Sequence, residues 1–212
     1  MKFKAVIFDL DGVLVSTDEQ HYQGWKALCD RLGIPFDREV NNRFRGVSRM
    51  ACVDILEELS GQSWTDERKQ EYATWKNECY RSLLSELSPA SVTREVRETL
   101  DRLRACGLLL AVGSSSKNAG FILERIGLGG YFDAVSDGNN ISRSKPDPEV
   151  FQKAAQFLGV PPELCLVVED AVSGVEAAHN AGMLAASLGD AAKNGAGDYV
   201  MSSFGELSEL SN

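Results

Sequence analysis

Three stretches of this chain are apolar without alternation: "AVIF" at 5–8, "LLLAVG" at 108–113 and "CLVV" at 165–168. A strand with one wetted face alternates apolar and polar residues. An unbroken run of aliphatic and β-branched side chains is instead covered on both faces, which is the condition of a parallel sheet. The chain before, between and after the last two runs reads as the helices such a sheet needs. Helices are predicted at 94–105, ending at Gly107, at 117–126, ending at Gly127, and at 148–158 and 171–181. A short strand is predicted around 132–135, and "LAASL" and "YVM" read as two more. Alternating strands and helices with short links predict the α/β class, with a doubly wound, Rossmann-like parallel sheet as the core.

Residues 16–88 read differently. Trp25, Leu28, Cys29 and Leu32 fall at helical spacing within a predicted helix 18–33, which "LGIP" closes. Helices are also predicted at 49–60 and 64–87, and no convincing strand separates them. The expected organisation is a discontinuous core domain, 1–15 with 89–212, and an inserted α-helical cap domain, 16–88, over the sheet's edge.

Composition narrows the partners. A net charge of −9 over 212 residues argues against nucleic acid or an anionic membrane surface. No apolar stretch approaches the roughly 20 residues that span a bilayer, and the start carries no signal-peptide pattern. The chain is expected to be soluble, cytoplasmic and monomeric. Cys29, Cys52, Cys79, Cys106 and Cys165 are widely spaced, and His21 and His179 stand apart from them. That pattern fits reduced cysteines used as small apolar residues rather than a zinc site.

In an open parallel sheet, ligands bind beyond the carboxyl ends of the strands. At that edge this chain sets Asp9 and Asp11, then Ser114, Ser115 and Ser116, then Glu169 and Asp170, with Lys145 on the loop "SRSKPDP". Acids at such density repel one another and raise each other's pKa. A hard cation relieves this, and magnesium suits a site with few direct carboxylates and an oxygen-rich anion. Lys145 and Ser114 suit a phosphoryl group. Gly12 lets the backbone turn so that Asp11 returns toward Asp9. Asp9 is then a candidate nucleophile and Asp11 a candidate general acid and base. A calcium loop would need Gly five residues after the first Asp and Glu at its twelfth position, and neither is present. Helix capping is the plain alternative for Asp11 and Asp170.

"FDLDGVLVST", "VGSSS", "SKPDP" and "VVEDAVSGVEAA", in this order, resemble the four motifs of the haloacid dehalogenase superfamily of phosphotransferases. "HYQGWKAL", "RGVSR", "SPASV" and "SSSKNAGFILERIGLGGYFDA" extend the resemblance to its β-phosphoglucomutase family, in core and cap alike. The resemblance implies a phosphorylated nucleophile at Asp9 and an acid and base at Asp11. It implies magnesium held by Asp9, Asp11, Glu169 and Asp170, and a transferring phosphoryl group held by Ser114 and Lys145. Gly46, Val47 and Arg49 would meet a small phosphorylated sugar. Ser116, Lys117 and Asn118 would bind its non-reacting phosphate, and Thr17 and His21 would sit at the cap hinge. The implied substrates are β-glucose 1-phosphate, glucose 1,6-bisphosphate and glucose 6-phosphate.

Plainer readings stand beside these. Arg49 also reads as an exposed cation at a helix start, Lys76, which matches a cap lysine of the family, equally as part of a solvated helix face, and Trp25 as core packing. The segment "SVTREV" departs from the family's usual Pro-Gly turn, Arg45 stands where lysine is commoner, and Ala171 where serine is. A sugar-phosphate phosphatase on the same fold is the rival enzyme, and a non-catalytic binding module the rival class.

Overall fold

The computed structural model describes residues 2–44 and 47–210. In chain order the elements are β1 (Ala5–Phe8), α1 (Asp18–Leu32), α2 (Arg38–Asn42), α3 (Arg49–Ser60), α4 (Asp66–Leu84) and α5 (Arg94–Ala105). There follow β2 (Leu109–Gly113), α6 (Ala119–Arg125), β3 (Ala134–Ser136), α7 (Glu149–Leu158), β4 (Cys165–Glu169), α8 (Val172–Asn180), β5 (Leu184–Ser187), α9 (Gly189–Lys193) and β6 (Tyr199–Val200). Two compact units result: Met1–Ser16 with Leu87–Asn212, and Thr17–Glu86. The first boundary falls one residue later, and the second two residues earlier, than the helical run of the sequence suggests.

The larger unit holds one six-stranded sheet in the order β3-β2-β1-β4-β5-β6, with every neighbouring pair parallel. The fold class is therefore the doubly wound α/β one read from the sequence, and the winding reverses between β1 and β4. Alternate residues of a strand face opposite sides. Ala5, Ile7, Cys165, Val167 and Ala185 join Phe151 and Ala154 of α7 and Val175 and Ala178 of α8 in one apolar layer. Phe8 points the other way and stacks on Phe204 at 5.8 Å. Register decides the site: Phe8 lies level with Val112 on one side and Val168 on the other. The next residues, Asp9, Gly113 and Glu169, thus reach the same edge. A Cβ on Gly113 would lie 2.7 Å from the Phe151 ring, so glycine lets β2 end beside that ring.

"SVTREV" starts α5 without a Pro-Gly turn. Thr93 caps it by accepting from the Val96 amide at 3.2 Å, and Arg94 pairs with Glu98 at 2.6 Å on the surface.

The smaller unit, among its described residues, contains helices and no strand. α1 to α4 enclose Trp25, Leu28, Cys29, Phe36, Phe44, Cys52, Val53, Leu56, Tyr72 and Ala73. Trp25 is core, as its place on the apolar stripe of α1 suggests. α2 is capped by Asp37, which accepts from Val40 N at 2.9 Å. Burial pushes the Cys29 and Cys52 thiols up to about 12 and the Cys165 thiol to about 11, so all three behave as small apolar groups.

Candidate active site

Asp9 follows β1 directly, and its amide still donates to Val168 O at 2.9 Å, continuing the ladder. Its side chain is almost buried. Lys145 reaches it from the loop ahead of α7, and its Nζ donates to both Asp9 Oδ1 and Glu169 Oε1. The same Nζ sits 4.7 Å from the centroid of the Phe151 ring. The other Glu169 oxygen, Oε2, accepts from the amides of Asp170 and Ala171, each at 3.0 Å. Glu169 is 1% exposed and packs on Gly174 at the start of α8, where a Cβ would lie 2.0 Å from its carboxylate.

Burial pushes the Asp9 carboxyl well above the usual carboxylate range, and Glu169 and Asp170 push it the same way while Lys145 pulls it down. Burial would lower the Lys145 ammonium, but Asp9 and Glu169 outweigh that and hold it protonated. Three carboxylates against one ammonium leave negative charge at the sheet edge.

That donor set fits magnesium. Among the described residues, no three His, Cys, Asp or Glu side chains form a ready cage. Glu169, expected as a ligand, has one oxygen on Lys145 and the other on two amides. Magnesium takes only one or two direct carboxylates and fills its shell with water and phosphate oxygens. Asp9, Glu169 and Asp170 supply that many and one more. The Asp170 carboxylate lies over Gly12, where a Cβ would fall 2.0 Å from its Oδ2, and Gly12 has φ +85°. The turn needs glycine on both counts. Asp11 lies on this turn, half-buried, bridged to Val15.

Ser114 follows β2, is 3% exposed, and anchors on Ser136 O at 3.0 Å. Its hydroxyl accepts from Ser116 N at 3.2 Å, and Ser116 Oγ accepts from Asn118 N at 3.2 Å. Asn118 is buried and Lys117 exposed. The loop is braced from behind: Asn139 Nδ2 donates to Lys117 O at 3.0 Å, and Gly138 N to Ser116 O at 3.2 Å.

The remaining expected residues lie in the helical unit. Thr17 is fully buried, and its hydroxyl meets Tyr80 Oη at 2.9 Å instead of capping α1. His21 Nδ1 lies 3.0 Å from Lys76 Nζ, and the His21 and Tyr80 ring centroids are 4.1 Å apart. Arg49 opens α3 half-buried, and burial lowers its pKa. Val47 is exposed, and Gly46 lies outside the described residues. Lys76 corrects the solvated-face reading: it is 2% exposed, with its ammonium over Trp25 and Tyr80 at 4.7 and 4.5 Å. The signal was its spacing, since Lys76 stands four residues from both Tyr72 and Tyr80 on the buried stripe of α4. Tyr80 was missed because an isolated tyrosine on a helix reads as core.

A doubly wound parallel sheet with a lysine-bridged carboxylate site at its switch point places that site where open α/β sheets bind their ligands. The chain belongs to the haloacid dehalogenase-like hydrolases, whose family model matches residues 3–182. It is 38% identical over 188 residues to a β-phosphoglucomutase of Bacillus subtilis, covering 88% of this chain and 83% of that one. It is 32% identical to a phosphorylated carbohydrates phosphatase of Thermotoga maritima, covering 85% and 82%. A crystal structure of β-phosphoglucomutase from Clostridium difficile superimposes with a TM-score of 0.89 at 31% identity, covering 97% of this chain and 93% of that one.

Proposed function

We propose that the protein is a magnesium-dependent β-phosphoglucomutase, interconverting β-glucose 1-phosphate and glucose 6-phosphate through glucose 1,6-bisphosphate. The observation that carries this is the Asp9 carboxylate at the end of the central strand, bridged by Lys145 to Glu169. The likeness to β-phosphoglucomutases in sequence and fold supports the substrate.

In this reading phospho-Asp9 donates its phosphoryl group to the free hydroxyl of β-glucose 1-phosphate, whose proton Asp11 removes, giving the 1,6-bisphosphate. The bisphosphate then turns over, an Asp9 oxygen attacks its other phosphorus, and the sugar oxygen departs with the proton from Asp11, leaving glucose 6-phosphate and phospho-Asp9. Lys145 neutralises charge on the phosphoryl oxygens and Ser114 donates a hydrogen bond to one of them. Ser116, Lys117 and Asn118 hold the far phosphate, with Val47 and Arg49 contributing from the helical unit. Magnesium, held by Asp9, Glu169 and Asp170 with the Asp11 carbonyl, would neutralise charge on the transferring group. The protein is taken to act as a cytoplasmic monomer.

The purified protein, given β-glucose 1-phosphate, magnesium and a trace of the bisphosphate, should form glucose 6-phosphate with little free phosphate. Free phosphate as the main product would favour a phosphatase, like the phosphorylated carbohydrates phosphatase of Thermotoga maritima. Neither product would reject the substrate.

A further inference from the structure

Lys145 sits on a loop without helix or strand, so something must hold that loop in place. The hydrogen bonds converge on Glu149, the first residue of α7. Its Oε2 accepts from Ser142 N at 2.8 Å, Ser142 Oγ at 2.7 Å and Arg143 N at 3.0 Å. Its Oε1 pairs with Lys153 Nζ at 2.9 Å, one turn along α7, and Lys153 also donates to Asn140 O. The segment is thereby closed into a ring: Glu149 N donates to Asp147 Oδ1 at 3.0 Å, and Arg143 pairs with Asp147 at 3.0 Å. On the far side of Lys145, Asn180 of α8 donates to Pro146 O at 3.1 Å. Phe151, beneath the ammonium, lies two residues along the same helix.

We propose that Glu149 is a positioning residue for Lys145, tying the loop to α7 so that the ammonium stands between Asp9 and Glu169 before substrate arrives. The proposal rests on the reading of Lys145 above. Glu149 touches none of Asp9, Lys145 and Glu169 and acts only through the loop. Lys153, then Ser142 and the two amides, hold its carboxyl down to about 2, so it remains an acceptor throughout the neutral range. Ser142 and Arg143 are exposed. Water can therefore take over their hydrogen bonds when the carboxylate is removed, and the cost falls on loop geometry rather than on folding. Displacing a catalytic group by about 1 Å costs roughly a hundredfold in rate.

Two measurements on the full chain test this. Limited acetylation with acetic anhydride, read by peptide mass spectrometry, compares Lys145 with exposed Lys117 as an internal standard. Glu149→Ala should raise the relative labelling of Lys145, while Lys153→Ala, which leaves the three loop hydrogen bonds, should not. Magnesium-dependent phosphoryl transfer from acetyl phosphate should fall roughly ten- to hundredfold in Glu149→Ala. Glu149→Ala should cost nothing further in a Lys145→Ala background. Glu149→Gln, which keeps an acceptor, should be intermediate, and it replaces the alanine variant if that one fails to fold. Unchanged labelling of Lys145, or losses that add in the double variant, would overturn the proposal. If the wild type transfers no phosphate, the reading of the activity fails, and the labelling still decides the role of Glu149.

Discussion

Gly174→Ala separates local propensity from tertiary packing. Gly174 lies in the first turn of α8, where alanine should gain up to about 1 kcal/mol over glycine. The structure reverses that sign. A Cβ at 174 would lie 2.0 Å from both the Cδ and Oε1 of Glu169 and 2.4 Å from Oε2. The carboxylate would have to retreat by about 1.4 Å to reach the edge of ordinary contact. It would then lose the amides of Asp170 and Ala171, and Lys145 would lose one of its two carboxylates. Breaking one side of a buried ion pair costs about 3–5 kcal/mol. Less the propensity gain, the net loss is about 2–4 kcal/mol. At about 2–4 °C per kcal/mol for a chain of this size, the melting temperature should fall by roughly 4–16 °C. Gly120→Ala is the control: it lies in α6 with nothing within 4 Å of its would-be Cβ, and should raise stability slightly. Both variants would be followed by circular dichroism melts, with acetyl phosphate turnover alongside. A Gly174→Ala protein as stable and as active as the wild type would refute the packing of Glu169 against α8.

Asp9→Asn should lower phosphoryl transfer by at least about a thousandfold with an unchanged dichroism spectrum; substantial residual turnover would reject the covalent step. Chelation should abolish activity and magnesium restore it, with calcium restoring it poorly because it prefers more ligands at longer distances; full activity in chelator would reject a metal at Asp9, Glu169 and Asp170. Burial, then the charges of Lys76 and Arg49, hold the His21 pKa well below 6.5, so the folded protein keeps it neutral. The unfolded chain binds more protons just below 6.5, so stability is full above that pH and declines as pH falls toward the folded value, by up to about 1.4 kcal/mol per pH unit. His21→Gln should flatten this limb in urea melts taken across pH, and an unchanged limb would show that His21 is not the group responsible.

The sequence by itself determined the sheet and the chemistry of its edge. Unbroken apolar runs such as "AVIF" and "CLVV" can be satisfied only by cover on both faces, and glycines such as Gly107 and Gly127 stop helices through backbone conformation alone. α3 and α5 lie within the predicted residues because their caps, Ser48 and Thr93, are local signals. The five-residue helices α2 and α9 were not legible, since so short a helix depends on what it packs against. What only the tertiary structure decided is who partners whom. Register brought Asp9 level with Glu169 across β1 and β4. A loop far along the chain then set Lys145 between them, with its ammonium on one oxygen of each. Lys76 shows the same division. Its spacing put it on the stripe of Tyr72 and Tyr80, but its charge argued for water. Only the assembled helices, with aromatic rings against the ammonium and His21 beside it, could settle a contest between desolvation and specific contacts that no local stretch of sequence contains.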